Sequence, residues 1–354
     1  MYIILAILIF GILIITHELG HFVAAKACGV RVLEFSVGMG PQLIGRQRGE
    51  TLYSLRLFPI GGFCAMEGED GDSDDPRSFN SQSAVKRIVI LAAGAAMNFL
   101  AGFILLLIVF SRASGFSSPQ ISGFMDGCPY EGEQALMAGD TIYKIDGHRI
   151  YFSTNISDYM TRSDSDYHDI VVLRDGKKVR LDNFYMPLRE YTRDDGTTEM
   201  KYGLYFELAP AGFASNIKYS WYCSLDFARM IWRSLGDLVG GRVGLGELSG
   251  PVGVVDAVNE AAKQESSFVD ALMQVLYLFA LIAVNLAIMN MLPIPALDGG
   301  RIFFLIVTLI IEKITRRKLD PKYEGWINSA AFALLMVLMV AVMFNDIIKI
   351  FVSR

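Results

Sequence analysis

The sequence predicts an α-helical polytopic membrane protein: four transmembrane helices, a membrane-associated β-hairpin on the cytoplasmic side, and an inserted extracytoplasmic α+β domain. Three observations carry that expectation. The chain of 354 residues is 53% hydrophobic and only 19% charged, and its mean hydropathy of +0.38 exceeds what soluble globular proteins usually show. Four runs are long and apolar enough to cross a hydrocarbon core of roughly 30 Å, which takes about 20 residues in a helix. Between the second and third runs lies a long polar stretch, 111–270, punctuated by Gly-Asp and Asp-Gly turns.

Residues 1–112 form the first half of a membrane core. The first helix covers about 2–25, and because no Lys or Arg precedes Lys26 it lacks the basic start of a cleaved signal peptide and reads as a retained span. The alternation in 43-LIGRQRGETLYSLRLFPIGGF-63, with Arg48-Gly49-Glu50 as the turn and Gly61-Gly62 as a kink, predicts a β-hairpin within about 31–66. Glu67 to Ser83, rich in Glu, Asp and Ser, reads as a flexible loop. The second helix, about 88–110, holds no formal charge and is bracketed by Lys86-Arg87 and Arg112.

Residues 119–187 read as a separate small domain, because 135-ALMAGDTIYKIDGHRI-150 and 170-IVVLRDGKKVRL-181 are short strands broken by turns. Residues 188–268 follow as an extracytoplasmic linker. Within it, 218–239 sets aromatics and aliphatics among Lys218, Asp226, Arg229, Arg233 and Asp237, as an interfacial amphipathic or gate segment does, or equally a helix packed on a domain. Residues 269–354 complete the core with helices at about 271–292 and 327–345.

Lys and Arg in short loops set orientation. Arg301, Lys313, Arg316, Arg317, Lys318 and Lys322 lie between the third and fourth runs, and Lys26, Arg31, Arg46, Arg48, Arg56, Arg77, Lys86 and Arg87 between the first and second. Both connections should be cytoplasmic, leaving 111–270 and both termini outside. The net charge of −5 points to no partner, and no basic stripe suggests nucleic acid. Cys28, Cys64, Cys128 and Cys223 have neither zinc-knuckle nor disulfide-framework spacing; a Cys128–Cys223 bridge is open but not expected.

The chemistry starts in 11-GILIITHELGHFVAAKACGV-30. His17 and His21 stand four apart, so on a helix they differ by only ~40° and share a face. Glu18, beside the first histidine, can reach a water on an ion without ligating it, the arrangement in which H-E-x-x-H supplies zinc ligands and a general base. Tyr2 to Thr16 spans only about 22 Å as a helix, so the span must continue through these residues. Ionisable groups at that depth cost about 2.5–3.5 kcal/mol each on the insertion scale and mark function. A catalytic zinc site wants a third protein ligand. His148 and His168 fall in the outer segment, so the search turns to acids. In 285-NLAIMNMLPIPALDGGRIFF-304, Asp298 follows Pro293 and Pro295, which should unwind the helix, and precedes Gly299-Gly300. Broken backbone at membrane depth is tolerated where it lines a wet cavity.

HELGH in a first span, with N-x-x-P-x-P-x-L-D-G from Asn290 to Gly299 in a later one, resembles the site-2 protease family of intramembrane zinc metalloproteases, in its bacterial form with one PDZ domain between the motifs. FPIGGFCAMEGE (58–69), GAAMNF (94–99) and SGPVG (249–253) resemble further family stretches, and Gly139 to Gly147 the core of a bacterial PDZ domain. The resemblance implies Zn2+ held by His17, His21 and Asp298, Glu18 as catalytic base, and Asn290 as a polar group near the substrate backbone or oxyanion. It implies substrate contact by Gly61, Gly62, Phe63, Pro293 and Pro295. Its substrates would be single-span membrane proteins already trimmed outside by a site-1-type protease, such as anti-sigma factors or signal-peptide remnants, met within membrane lipid. A non-catalytic scaffold with a structural metal and a partner-binding PDZ domain is the rival expectation, and a metal transporter the third. Glu18 separates them, because a purely structural site gains nothing from a buried carboxylate beside its ligands.

Overall fold

The computed structural model describes all residues except 1, 70, 72, 164, 193–196, 243, 245–249, 265–266, 317–321 and 353–354. Ser249 of the SGPVG stretch, and Arg317 and Lys318 of the expected cytoplasmic cluster, lie outside the described residues. Among the described residues, four helices are long and apolar enough to span a bilayer: Leu8–Cys28 within α1 (Tyr2–Cys28), α2 (Ala84–Phe110), α6 (Phe268–Asn290) and Ser329–Asp346 within α8 (Lys322–Val352). The chain is therefore a multi-pass membrane protein. It divides into two compact units, Met1–Val109 with Phe227–Arg354, and Phe110–Asp226.

In the first unit the helices approach closely because small residues sit between them. A Cβ on Gly20 of α1 would collide with the Ala93 carbonyl of α2, and one on Gly102 of α2 with Val284 and the Ala280 carbonyl of α6, the small-residue packing typical of spans. Ile9 and Leu13 of α1, Val258 of α5 (Pro251–Lys263), and Val275 and Phe279 of α6 form one buried cluster. At its other end α1 packs Ala25 on Val30, Val32, Cys64, Met66, Ile90 and Leu91. In α8, buried Asp346 accepts hydrogen bonds from the backbone N–H groups of Gly250 and Gly253, both at 2.9 Å, which caps the start of α5.

The hairpin is more folded than its alternation implies. Strand β1 (Val32–Arg48) and strand β2 (Thr51–Met66) each double back. Residues 32–37 pair with 62–66 on one side and 52–55 on the other, and 42–48 pair with 51–56. Four segments result, with 62–66 and 42–48 at the edges. The glycines at 38 and 40, with φ of 85° and 87°, permit the reversal in β1. Arg56 holds the fold together: its guanidinium donates to Glu34 Oε1 at 2.7 Å and the Gly40 carbonyl at 2.9 Å, and lies over the Phe63 ring.

Two stretches differ from expectation. The connection between the third and fourth spans is a helix, α7 (Asp298–Thr315), with exposed Phe303, Ile306, Ile310 and Ile314 at helical spacing. Its arginines and lysines drew attention to charge, whereas the apolar run RIFFLIVTLII carries the period. In the second unit the sheet runs β10-β3-β4-β6-β7, where β3 is Gly115–Phe124, β4 Thr141–Ile145, β6 Tyr167–Arg174, β7 Lys177–Tyr185 and β10 Leu204–Pro210. Strand β5 (His148–Arg149) pairs with β4, and α3 (Ser153–Thr161) packs on the sheet. The stretch read as linker from 188 thus supplies β10, paired with β3, and a further hairpin of β8 (Arg189–Thr192) with β9 (Thr198–Lys201). Strand β3 likewise begins before 119. Helix α4 (Phe213–Val239) then covers the expected amphipathic segment. The four cysteines are free.

Candidate metal centre

Three side chains from opposite ends of the chain meet in the first unit. His17 Nε2 and His21 Nε2 lie 3.2 Å apart, and Asp298 Oδ2 stands 3.1 Å from the first and 3.2 Å from the second. They form the one group of metal-capable side chains among the described residues. Helical spacing brings the histidines together; a turn brings the carboxylate. Helix α6 ends at Asn290 and the chain reverses through 291–297, closed by Ile294 N–H to the Leu292 carbonyl at 2.7 Å and with Ala296 at a φ of 74°. Gly299 and Gly300 fit against that turn so tightly that a Cβ on either would strike the backbone of Met291 to Pro295.

Hydrogen bonds decide what the corners of the triangle carry. His21 Nδ1 donates to the Ile90 carbonyl at 2.9 Å, a bond buried in the α1–α2 contact, so its Nε2 presents a lone pair. His17 Nδ1 lies 3.4 Å from the Asn98 amide, whose buried Oδ1 has no partner as drawn. With the Asn98 amide turned so that Oδ1 faces the ring, His17 Nδ1 donates to it and bares its own Nε2. Asp298 Oδ2 is itself buried without a hydrogen bond. Three possible ligand atoms therefore lie within 3.2 Å of one another, an arrangement that a bound cation would satisfy. Edges of 3.1–3.2 Å are close to the roughly 3.3 Å between ligands of a tetrahedral ion bonded at about 2.0–2.1 Å. The N,N,O donor set suits zinc and leaves a fourth position open.

Glu18 is half-buried beside His17. The Cys64 backbone hydrogen-bonds its carboxylate, and a Cβ on Gly62 would lie 3.7 Å from its Cγ. The edge segment 62–66 thus runs past the glutamate with no further strand on its outer side among the described residues, where side chains take two of its backbone groups: Glu18 that of Cys64 and Glu69 the Met66 N–H at 3.4 Å. Burial, with Glu18 close by, pushes the Cys64 thiol up to about 12, and its sulfur is not among the ligand atoms that converge with the histidines and Asp298. Phe63 pairs with Ser36 across the sheet, and Gly61, with a φ of 91°, leaves room only for the Met39 side chain. Pro293 is exposed and Pro295 half-buried in the 291–297 turn. Asn290 closes α6, half-buried, and no hydrogen bond among the described residues ties it to the triangle.

Sequence reasoning gave no role to Gly94 and Asn98. A Cβ on Gly94 would collide with His21 Nε2 and crowd His17, so the glycine is the floor of the site. The available signal was Asn98 as the lone polar side chain in a charge-free span, one turn after that glycine. Arg301, one turn after Asp298, is ion-paired with Glu69 in the loop after β2.

Comparison with known proteins agrees with this geometry. The model of peptidase family M50 matches residues 5–338. A candidate zinc metalloprotease of Clostridium acetobutylicum is 34% identical over 348 residues, covering 98% of this chain and 97% of its own. The zinc metalloprotease RasP of Bacillus licheniformis is 28% identical over 426 residues, with 98% of both chains covered. The regulator of sigma-W protease RasP of Bacillus subtilis is 27% identical over 428 residues, again with 98% of both covered. With helices that can span a membrane, two histidines of one of them meeting Asp298 at the start of α7, and a family match over nearly its whole length, the chain belongs to peptidase family M50, the site-2 protease family of zinc metalloproteases.

Proposed function

We propose that this intramembrane metalloprotease cleaves peptide bonds within or beside the transmembrane helix of single-span membrane proteins, with His17, His21 and Asp298 holding zinc and Glu18 as general base. The observation that carries the reading is the triangle of His17 Nε2, His21 Nε2 and Asp298 Oδ2, 3.1–3.2 Å on each edge, with the Glu18 carboxylate beside it. Zinc bound there supplies a Lewis acid that makes water acidic enough to attack a peptide carbonyl at neutral pH. Glu18 would act as the general base that takes a proton from the attacking water and the general acid that returns it to the leaving amine. The Ile90 carbonyl and Asn98 hold the imidazoles in the tautomer that bares each Nε2. Asn290, at the end of α6, would donate to the developing oxyanion or the substrate backbone.

A transmembrane helix hides its amides in i to i−4 hydrogen bonds, so a substrate must unwind. The outer side of 62–66 offers the freed groups new partners by strand addition, which gives Gly61, Gly62 and Phe63 their role, with Pro293 and Pro295 keeping the opposite wall unwound. The sigma-W regulator in the name of the Bacillus subtilis relative favours anti-sigma factors as substrates here, trimmed first by a site-1-type protease. The sheet of the second unit would be the single PDZ-like domain, on the extracytoplasmic side with both termini, acting as a filter against substrates with large outer domains, while the zinc site lies near the cytoplasmic side.

The test is Glu18→Gln in purified, reconstituted protein, with bound zinc measured and a panel of single-span substrates followed by gel. The variant should keep its zinc and lose cleavage by about 100-fold or more. Cleavage at the wild-type rate would overturn the mechanism, and a wild type that binds no zinc would overturn the site.

A further inference from the structure

Lys and Arg are fewer than Asp and Glu in the second unit, yet three cations line up there on aromatic rings. The Arg149 guanidinium lies 3.7 Å above the Tyr143 ring, which Lys178 Nζ also approaches at 4.7 Å. Arg149 is 5.7 Å from the Tyr151 ring. Tyr151 in turn stacks at 4.7 Å on Tyr222 of α4, and Lys218 sits 5.7 Å from that ring. Cations and tyrosines therefore form one row from β7 across β4 to α4, with Tyr151 and Tyr222 stacked within it and Lys178 and Lys218 exposed at the two ends.

The same part of α4 carries a second feature. Phe213, Ile217 and Trp221 recur every four residues and are 85%, 41% and 46% exposed, while Tyr219, Ser220, Cys223 and Ser224 face inward and are buried. Lys218 and Tyr222 occupy the next strip of the outward half. An apolar stripe edged by tyrosine and lysine matches the boundary of a bilayer, where aromatic rings sit at headgroup level and cations meet lipid phosphates. Such a surface is within reach: span α2 ends at Phe110 and β3 begins at Gly115, a tether of at most about 18 Å.

We propose that this face docks on the surface of the bilayer that holds the protein and reads anionic phospholipid headgroups. Lys178, Arg149 and Lys218 contact the phosphates, while Phe213, Ile217 and Trp221 enter the interfacial layer. The tyrosines hold the cations in place by their ring faces. An acidic domain beside an anionic membrane would otherwise be repelled, so the cation row fixes which side faces the lipid.

The probe is Trp221 in the full-length protein, made the sole tryptophan by Trp232→Phe and Trp326→Phe and placed in nanodiscs with or without phosphatidylglycerol. Quenching by headgroup-proximal spin-labelled lipid should be at least about twofold stronger with phosphatidylglycerol than with phosphatidylcholine alone. Raised salt should remove the difference without any further substitution. The combined Arg149→Gln, Lys178→Gln, Lys218→Gln variant should lose it too, with an unchanged circular dichroism spectrum. Equal quenching in both lipids, insensitive to salt, would overturn the proposal. So would a Trp221 that no lipid label quenches but a substrate peptide shields, which would assign the face to peptide.

Discussion

At the residue scale, the candidate site depends on side chains that are absent as much as on those present. Gly94 leaves space that a methyl group would take from His21 Nε2 and His17. Gly94→Ala should abolish or strongly reduce zinc content measured by atomic absorption, while the protein still inserts in the membrane. Asn98→Ala removes a polar group that orients His17, and a lost orienting partner typically costs 10–100-fold in metal affinity. A competition titration with a zinc chelator should show a loss of that size; unchanged affinity would mean that Asn98 does not hold His17. His17, Glu18 and His21 were legible because their spacing is local. Asp298 was legible as an isolated acid after two prolines. The partnership of Asn98 with His17 spans 81 positions, and no local pattern encodes it.

Among the elements, strand alternation revealed a hairpin and its turn at Gly49-Glu50 but not its doubled pairing, because a strand bonded on both sides has the same period as one bonded on one side. Helix α7 was missed since charges at its ends outweighed the apolar run between them. The hairpin tip is fastened by Glu50, which accepts from Lys26 Nζ and Arg77 Nη1 at 2.7 Å each, and these two partners hold its carboxyl below its ordinary value of 4.5. A depressed carboxylate contributes stability above its unfolded pKa and loses it as pH falls through the folded one. Amide exchange at 49–53, corrected for intrinsic rates, should therefore rise only when pH drops below about 4.5. In Glu50→Gln it should be raised at neutral pH and flat with acidification. The Asp346 contact makes a different prediction. Asp346→Leu leaves the Gly250 and Gly253 N–H groups unpaired, at about 1–3 kcal/mol each, and should lower thermal stability while zinc content is retained; Asp346→Asn, which keeps an acceptor, should cost less.

For the whole molecule, the division into units explains which part of the domain plan was legible. Turn residues exposed the inserted domain, but its last strand, Leu204–Pro210, lies beyond a second hairpin and joins the sheet beside β3, a pairing across about 90 residues that composition does not reveal. All three corners of the triangle belong to the first unit. Replacing residues 115–210 by a short flexible linker should consequently leave zinc binding intact, whatever it does to substrate choice; loss of zinc would show that the second unit supports the site. Removing the metal should also loosen the fold, since an ion bound to the native state alone stabilises it. A chelator should lower the wild-type melting temperature and leave that of Asp298→Ala nearly unmoved.

The distance along the chain between His21 and Asp298 is 277 residues. At a synthesis rate of about 5–20 residues per second, that separation corresponds to roughly 15–55 s during which the first helix is already made and the third corner of the triangle does not yet exist. An ion can be held by all three side chains only once Asp298 has been made. On the proposed mechanism, a molecule still being made would be inert while its first helices enter the bilayer, when unpacked spans, its own included, would be the most accessible substrates at hand.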